Sequence, residues 1–399
     1  MILTPNYLEN FPQTLAELYQ ELENFIIIDV ARRLKTAGQS TSTAEWQKQQ
    51  AQLYNINNIN QKVSEILKKS NSEIEKMFAE AALTTIASEN KTFKKAGYKG
   101  IELEDSKALQ NYLKTAIKQT KGDVENITQS MGFAEKQGNK IVYNNIAKFY
   151  QKELNLAHIK VSTGVLDYNT AIKQAINKIA DSGVRQIVKK KGVPQVEYES
   201  GYSINIDSAA RRAVLTSVHQ FNQETINHMS SEIIKDEENR YYEVTAHPGA
   251  RTGIGINNHA GWQGKVYKWL GSTADYPNLK ETTGLGDLLG LEGINCKHSY
   301  FIFIPNISVR TYTDEQLKNI DPPPFTYKDK EYTYYETTQY QRELENKIRK
   351  LKREALMYKE TGLDTEFKNT NKQIKDIRNE YKAFSDAADI RPKLERTQI

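Results

Sequence analysis

The chain has 399 residues, a length that suits two or three domains rather than one small module. Its mean hydropathy of −0.69 and the lack of an apolar run of about 20 residues exclude a membrane-spanning helix. A single cysteine excludes an intrachain disulfide framework, and early acidic residues argue against a secretory signal. The formal charge of +5 is compatible with nucleic acid nearby but too small to indicate a nucleic-acid-binding protein. We therefore expect a soluble protein that is made inside the cell.

The first third of the chain has the spacing of amphipathic helices. Leu15, Leu18 and Leu22 recur at three- and four-residue steps, which places one apolar stripe along a helix that Gly38 is expected to end. We predict a helical N-terminal body over residues 1–190. Further amphipathic stretches support it, around 63–78, 109–117, 144–154 and 171–187.

The middle of the chain changes character after the three lysines at 189–191, which we interpret as an exposed turn. A helix over 207–234, with Asp207 as its expected N-cap, leads into a segment rich in glycine, histidine and aromatic residues. We predict a small α+β module over 191–310. Its best strand candidates are 241–244, 264–269 and 300–304.

The C-terminal part begins with the triple proline at 322–324, which predicts a stiff Pro-rich connector over 311–332 and an aromatic hairpin around Asp329. Two apolar stripes follow and are separated by Gly362, so we predict an antiparallel helical hairpin over 333–399. The fold class is therefore α+β and predominantly α-helical. The stripes are Leu344, Ile348, Leu351 and Ala355 on one helix, and Phe367, Ile374, Ile377 and Tyr381 on the other.

Three of the six histidines and the only cysteine lie in one block, and they are His247, His259, Cys296 and His298. Imidazole and thiolate are the usual zinc ligands, so a zinc site is one interpretation, although the spacing matches no standard zinc-finger pattern. A second interpretation is that these histidines only hydrogen-bond loop backbone. A third is a catalytic thiolate–imidazole pair. The residues alone leave all three open.

A basic run in the C-terminal segment could present a charged face to nucleic-acid phosphates or to a partner. The alternative is a solvated helix face held by Glu343–Lys347 and Glu345–Arg349 pairs. The candidate contact residues are Arg349, Lys350, Lys352 and Arg353.

Several motifs, in order, resemble the minor capsid protein 2 family of tailed bacteriophages, which is similar in its histidine and Asn-Cys block to the broader Mu-type head-morphogenesis proteins. Lys297 stands where arginine is more familiar in that family, and Asn306 stands where glycine is usual. The resemblance spans nearly the whole chain. The motifs are IIDVARRLKTAGQSTSTAEWQ (27–47), YESGYSINIDSAARRAVLTSVHQ (198–220), VTAHPGAR (244–251), NHAGWQGKVY (258–267), GLEGINCKHSYFIFIPNIS (290–308) and YTYYETTQYQRELENKIRKLKRE (332–354).

The resemblance implies a low-copy structural protein of the phage virion, made in the host bacterial cytoplasm and placed inside the head at the portal vertex. It implies a role in head and procapsid assembly, and in DNA packaging or ejection. The implied partners are the portal protein, other capsid or scaffolding proteins and packaged double-stranded DNA, with no membrane. No catalytic residue is carried over, so we expect no enzyme. The alternative is a virion-carried effector enzyme, a nuclease or an ADP-ribosyltransferase-like protein, built on the His/Cys/Arg block.

Overall fold

The computed structural model describes residues 3–40, 42–137, 140–186, 188–190, 193–195, 204–293 and 296–399. The chain is 65% helical with a few small antiparallel sheets, which confirms the predominantly helical α+β class. None of the helices in the described ranges is long and apolar enough to cross a membrane.

The helices begin where short polar side chains can cap them. Ser42 Oγ accepts a hydrogen bond from the Glu45 N–H, and Asn145 Oδ1 accepts one from the Lys148 N–H, so each satisfies a backbone donor of the first turn. The helices are α1 (Pro5–Asn10), α2 (Gln13–Gln39), α3 (Thr43–Tyr54), α4 (Asn57–Lys95), α5 (Lys107–Gln129), α6 (Ile146–Ser162), α7 (Tyr168–Ser182), α8 (Ile206–Ile233), α9 (His259–Trp262), α10 (Leu279–Thr283), α11 (Asp314–Lys318), α12 (Tyr334–Thr361) and α13 (Asp364–Ala387).

The strands form small antiparallel sheets in the orders β2-β1-β3, β4-β5, β7-β6-β8 and β10-β9. The strands predicted near 241–244, 264–269 and 300–304 are confirmed as β6, β7 and β8. The aromatic hairpin is confirmed as β9–β10, and Lys328 and Asp329 both have positive φ, as a tight two-residue turn requires. The strands are β1 (Met131–Gln137), β2 (Lys140–Asn145), β3 (Arg185–Gln186), β4 (Val188–Lys190), β5 (Val193–Gln195), β6 (Tyr241–Val244), β7 (Val266–Lys268), β8 (Tyr300–Phe303), β9 (Phe325–Tyr327) and β10 (Lys330–Tyr332).

The chain divides into two compact units, and each unit combines three segments. Every boundary between segments falls inside a helix, namely α2, α4, α5, α8 or α12. The domain boundaries expected from the sequence stay predictions. Unit 1 comprises Met1–Thr14, Asn71–Asp123 and Arg211–Thr338, and unit 2 comprises Leu15–Ser70, Val124–Ala210 and Gln339–Ile399.

The core of unit 1 lies between the sheet β7-β6-β8 and apolar side chains of α4, α5 and α8. Tyr242 and Tyr300 meet edge to face on neighbouring strands, with ring centroids 5.2 Å apart. Glu89 of α4 accepts a hydrogen bond from the Ile302 N–H at 2.9 Å, which ties this helix to β8. Large aromatic side chains therefore fix one face of the sheet that carries the site described below.

The core of unit 2 gathers α2, α6 and α7 beside the sheet β2-β1-β3. Phe133 of β1 stacks on Phe149 of α6 with centroids 4.2 Å apart, and the Tyr150 hydroxyl donates to the Ile26 carbonyl at 2.9 Å. Gly38 does not end α2, contrary to the prediction, because the helix runs through it to Gln39. A Cβ at Gly38 would lie only 2.8 Å from the Tyr168 ring, so a close helix contact explains this glycine.

The C-terminal hairpin has the predicted antiparallel form. Leu344 and Ile348 of α12 pack against Tyr381 of α13, with Ile377 partly buried beside them. Gly362 lies between the helices with φ of +80°, a conformation that costs glycine least. The pairing is antiparallel because polar contacts run in opposite directions along the two helices. They are Gln341–Ser385 at 2.9 Å and Glu345–Tyr381 at 2.7 Å.

Two smaller expectations need correction or lie outside the described residues. Asp207 is not the N-cap of α8, because the helix already begins at Ile206 and the Asp207 carboxylate pairs with an arginine instead. The lysine turn at 189–191 falls on the β4–β5 hairpin, but residues 191 and 192 lie outside the described residues. So do residues 198–203, at the start of the motif that continues into α8.

Candidate functional site

The histidine block lies at one end of the strands of the sheet β7-β6-β8, where β6 ends and β7 and β8 begin. Val244, the last residue of β6, pairs with Tyr300, the first residue of β8, so the segments beyond them emerge side by side. His247 follows β6 and His298 precedes β8 at this end. His259 opens α9, which leads directly into β7 on the other side of β6. Sheet register therefore brings together residues that are distant in the sequence.

Three of the predicted residues form a compact buried cluster. The Cys296 Sγ lies 3.5 Å from His298 Nδ1 and 3.8 Å from His259 Nδ1. The ligand atoms of all three lie within 4.8 Å of one another, and all three residues are buried. Among the described residues, this is the one group whose His, Cys, Asp or Glu side chains could together hold a metal ion.

His247 is close to the cluster, but its Nδ1 atom contacts a backbone carbonyl outside it. Its ring stacks on His298 with centroids 4.4 Å apart, and its Nδ1 contacts the Pro248 carbonyl oxygen at 2.8 Å. Its side chain is half-buried. The structure thus places all four predicted residues together, with three facing one another and the fourth lying against them.

Hydrogen bonds orient both buried imidazoles. His298 Nε2 lies 3.0 Å from Gln263 Oε1, and His259 Nε2 lies 2.9 Å from the Leu289 carbonyl oxygen. Trp262 packs against both rings, with its centroid 4.5 Å from that of His259 and 5.0 Å from that of His298. The indole N–H donates to the Ile256 carbonyl at 3.0 Å, so the buried Trp262 is fully satisfied.

Burial is the largest cause of the pKa shifts in this cluster. It raises the pKa of the Cys296 thiol to about 12 and lowers the pKa of His259. It also lowers the pKa of His298 well below its usual range, and the neighbouring histidines add to that effect. A cysteine nucleophile needs a lowered pKa and access to substrate. Cys296 has neither, so the arrangement does not support a thiolate–imidazole catalytic pair.

The carboxylates nearest in sequence serve other roles. Glu243 of β6 accepts a hydrogen bond from the Thr311 N–H at 2.7 Å. Glu292 is buried, with its carboxylate 3.8 Å from His219 Nδ1 of α8. Sequence reasoning missed His219, because only the fold brings α8 beside the loop that carries Glu292. A carboxylate–histidine pair thus lies near the cluster but outside it.

The predicted basic face requires a correction, because two of its four residues are internal to unit 2. The Arg349 guanidinium pairs with Asp207 at 2.9 Å and with Glu23 at 3.4 Å. The Arg353 Nε donates to the Ala180 carbonyl at 3.0 Å, and its Nη1 lies 3.6 Å from Glu23. Both arginines lie one turn apart on the side of α12 that meets carboxylates, so they cannot point to solvent.

The other two predicted contact residues are half-exposed. Lys350 pairs with Asp181, and Lys352 Nζ donates to Gln398 at 2.9 Å. Burial and neighbouring arginines lower the pKa of Lys352 to about 8. The alternative interpretation is a solvated helix face held by two ion pairs, and the structure contains one of them. Glu343–Lys347 forms at 2.7 Å, but Glu345 accepts from Tyr381 instead of pairing with Arg349.

Long helices, small antiparallel sheets and a buried His–Cys cluster at the strand ends of one sheet define a predominantly helical α+β protein. The chain belongs to the phage minor capsid protein 2 family, whose model matches residues 3–386. It is therefore a bacteriophage minor capsid protein and a component of the virion, with other capsid proteins as partners. No curated protein and no solved structure matches it significantly.

The structure gives simple local surroundings to Asn306 and Lys297, the two residues that the sequence resemblance singled out. Asn306 has φ of +66°, the left-handed conformation that glycine adopts most easily and asparagine tolerates best among other residues. Lys297 is half-exposed, with its Nζ 3.6 Å from Glu9. Asparagine can thus replace glycine at the turn without a change of backbone.

Proposed function

We propose that this minor capsid protein is a low-copy structural component inside the head at the portal vertex, where it acts in head assembly and in DNA packaging or ejection. The observation that carries the proposal is the family match over residues 3–386, which spans segments of both compact units. In this role the protein contributes surfaces and stability rather than catalysis. The buried position of Cys296 supports that division.

Exposed apolar side chains support a role that depends on partners. Ile254 is 94% exposed and Leu288 is 66% exposed, and both lie in loops close in sequence to the His–Cys cluster. Arg251 approaches the Leu289 carbonyl at 3.5 Å, which connects these two loops. Apolar side chains held this far into water are typical of surfaces that a partner covers. We assign this surface to contact with the portal protein.

The proposed contact with packaged DNA is electrostatic and weak. With Arg349 and Arg353 internal, half of the predicted basic face is unable to reach phosphates. The remaining lysines, Lys350 and Lys352, already have protein partners. We therefore expect a shallow dependence of DNA affinity on salt, since its slope follows the number of neutralised phosphates.

The direct test is to compare purified particles that carry the wild-type protein with particles that carry Ile254→Asp/Leu288→Asp. Mass spectrometry should find a small number of wild-type copies per head, and cryo-EM should place their density at the portal vertex. The double variant should fold normally yet enter heads several-fold less often. Val165→Asp, a 70% exposed residue in unit 2, is the control and should enter normally. Absence of the wild-type protein from particles, or density only at other capsid sites, would contradict the proposal.

A further inference from the structure

We propose that His259, Cys296 and His298 bind one divalent transition-metal ion of the zinc class, through the Nδ1 atoms of both imidazoles and the cysteine thiolate. The inference goes beyond the structural role in the head and does not depend on it. It rests on hydrogen-bond accounting and on the distances among the three ligand atoms.

The proton positions on both imidazoles follow from their outer partners. Gln263 Oε1 accepts from the His247 backbone N–H at 3.0 Å, so the amide atom that faces His298 is the oxygen. His298 Nε2 must therefore carry a proton and donate it. The Leu289 carbonyl can only accept, so His259 Nε2 must carry a proton as well. In a neutral imidazole with its proton on Nε2, Nδ1 carries the lone pair, and both Nδ1 atoms face the Cys296 sulfur.

The described residues do not provide enough protons at this point. Three acceptors face the Cys296 thiol, which has a single proton: His259 Nδ1, His298 Nδ1 and, at 3.8 Å, the His298 carbonyl oxygen. The His298 backbone N–H also donates to the sulfur at 3.4 Å, as it would to a thiolate. A buried acceptor without a donor destabilises the folded protein. A cation at the centre would turn each of these lone pairs into a ligand.

The distances also match the requirement of a tetrahedral ion. Zinc–sulfur bonds of about 2.3 Å and zinc–nitrogen bonds of about 2.0–2.1 Å place sulfur and nitrogen roughly 3.5–3.6 Å apart across a tetrahedral edge. The observed separations are 3.5 Å to His298 and 3.8 Å to His259, so both sulfur–nitrogen distances are already close to this length. A soft thiolate with two imidazoles favours zinc over calcium or magnesium, which prefer oxygen ligands.

The surrounding groups have the roles expected around a metal. Gln263 and the Leu289 carbonyl each hold the outer nitrogen of a ligand histidine, the arrangement that fixes the tautomer of metal-bound imidazole. His247 is not part of this ligand set, because among the described residues only His259, Cys296 and His298 have ligand atoms within 4.8 Å of one another, and the His247 ring stacks on His298. Three protein ligands leave the fourth position to water. The ion would join α9 to the segment that precedes β8.

Cobalt(II) substitution of the untagged full-length protein tests the proposal without any variant. Cys296 is the only cysteine in the chain, so a thiolate-to-cobalt charge-transfer absorption can come only from this residue. We expect that band together with intense tetrahedral d–d bands, both displaced by one equivalent of zinc, and one zinc per chain by elemental analysis. Absence of the charge-transfer band, or binding well below one ion per chain after loading, would overturn the proposal.

Variants then separate the ligands from their supports. Cys296→Ser should abolish the charge-transfer band and stoichiometric zinc binding. Gln263→Leu removes the outer acceptor of His298, together with the acceptor of the His247 N–H, and should weaken zinc affinity about 10–100-fold. His228→Gln changes a half-buried histidine of the same unit, whose ring contacts Ser106 and Tyr112, and should bind zinc like the wild type. Unchanged affinity in Gln263→Leu would refute the assigned tautomer, and tight stoichiometric binding by Cys296→Ser would refute the ligand set.

Discussion

Each of the two units buries a polar cluster, and the buried polar groups find partners in different ways in the two clusters. In unit 2, the carboxylates of Glu23 and Asp207 meet the guanidinium groups of Arg349 and Arg353, so opposite charges compensate one another inside the protein. In unit 1, the His–Cys cluster holds neutral acceptors that face one shared proton. The charges of the first cluster are paired within the chain, whereas we propose that a cation from outside completes the second. A buried polar group thus requires a partner, but the chain need not supply that partner itself.

The largest expected effect comes from breaking the unit 2 cluster. Arg349→Met leaves Glu23 and Asp207 buried without their main counter-charge, so the free energy of unfolding should fall by about 3–5 kcal/mol. Chemical denaturation followed by circular dichroism measures it. Lys347→Met is the matched control on the same helix, because its pair with Glu343 is exposed and should contribute less than about 0.5 kcal/mol. Equal losses in both variants would show that burial of the arginine does not matter.

Glu89 sharpens the comparison as a third kind of buried polar group, since its described hydrogen-bond partner is the Ile302 N–H rather than a charged side chain or a metal. Burial raises its pKa to about 8 from an ordinary value of 4.5. Because the folded pKa is the higher one, Glu89 stabilises the protein fully below pH 4.5, and this contribution is lost as the pH rises towards 8. Its share of the slope is at most about 1.4 kcal/mol per pH unit.

Glu89→Gln keeps an acceptor for the Ile302 N–H and cannot ionise, so it should flatten the decline of unfolding free energy between pH 4.5 and 8. Denaturation curves at several pH values across this window measure the slope. Glu104→Gln, an exposed change in the same unit, should leave the wild-type slope intact. A slope in Glu89→Gln identical to that of the wild type would mean that this carboxyl ionises freely in the folded protein.

The smallest effect concerns a hydrogen-bond cluster in the C-terminal hairpin. The Tyr381 hydroxyl donates to Glu345 at 2.7 Å and accepts from the Lys393 N–H at 2.7 Å. Tyr381→Phe removes both bonds and should lower the free energy of unfolding by about 1–3 kcal/mol. Thermal and urea denaturation provide the measurement. Tyr335→Phe, a 54% exposed residue of α12, should change stability by less than about 0.5 kcal/mol, and a loss as large as that of Tyr381→Phe would refute this assignment.

Local patterns predicted much of the fold. The strands β6, β7 and β8 and the helical hairpin around Gly362 follow from aromatic runs and from three- and four-residue apolar spacing, which depend on neighbouring residues only. The β1–β2 hairpin was missed, although Gly138 and Asn139 in the sequence are a turn signal between β-forming residues. Periodicity therefore identified the long elements better than the short ones.

The sites depended more on contacts between distant parts of the chain. The histidine block was recognisable because zinc-type ligands are rare and lie within one segment. Burial of Arg349 was not predictable, because its counter-charges Glu23 and Asp207 come from α2 and α8, far away in the sequence. The same reason hid the His219–Glu292 pair. A basic residue on a helix is usually solvated, and only the tertiary fold shows when it is not.

The account is tested most directly by unfolding the metal-free protein with and without zinc. Zinc should stabilise the wild type by about 2.7 kcal/mol at a free concentration 100 times the dissociation constant. Arg349→Met changes the charge-paired cluster of unit 2, so without zinc this variant should be less stable than the wild type. Zinc should still raise its free energy of unfolding by a similar amount. Cys296→Ser should gain nothing. The account would be contradicted if zinc leaves the wild-type transition unmoved, or if it stabilises Cys296→Ser as much as the wild type.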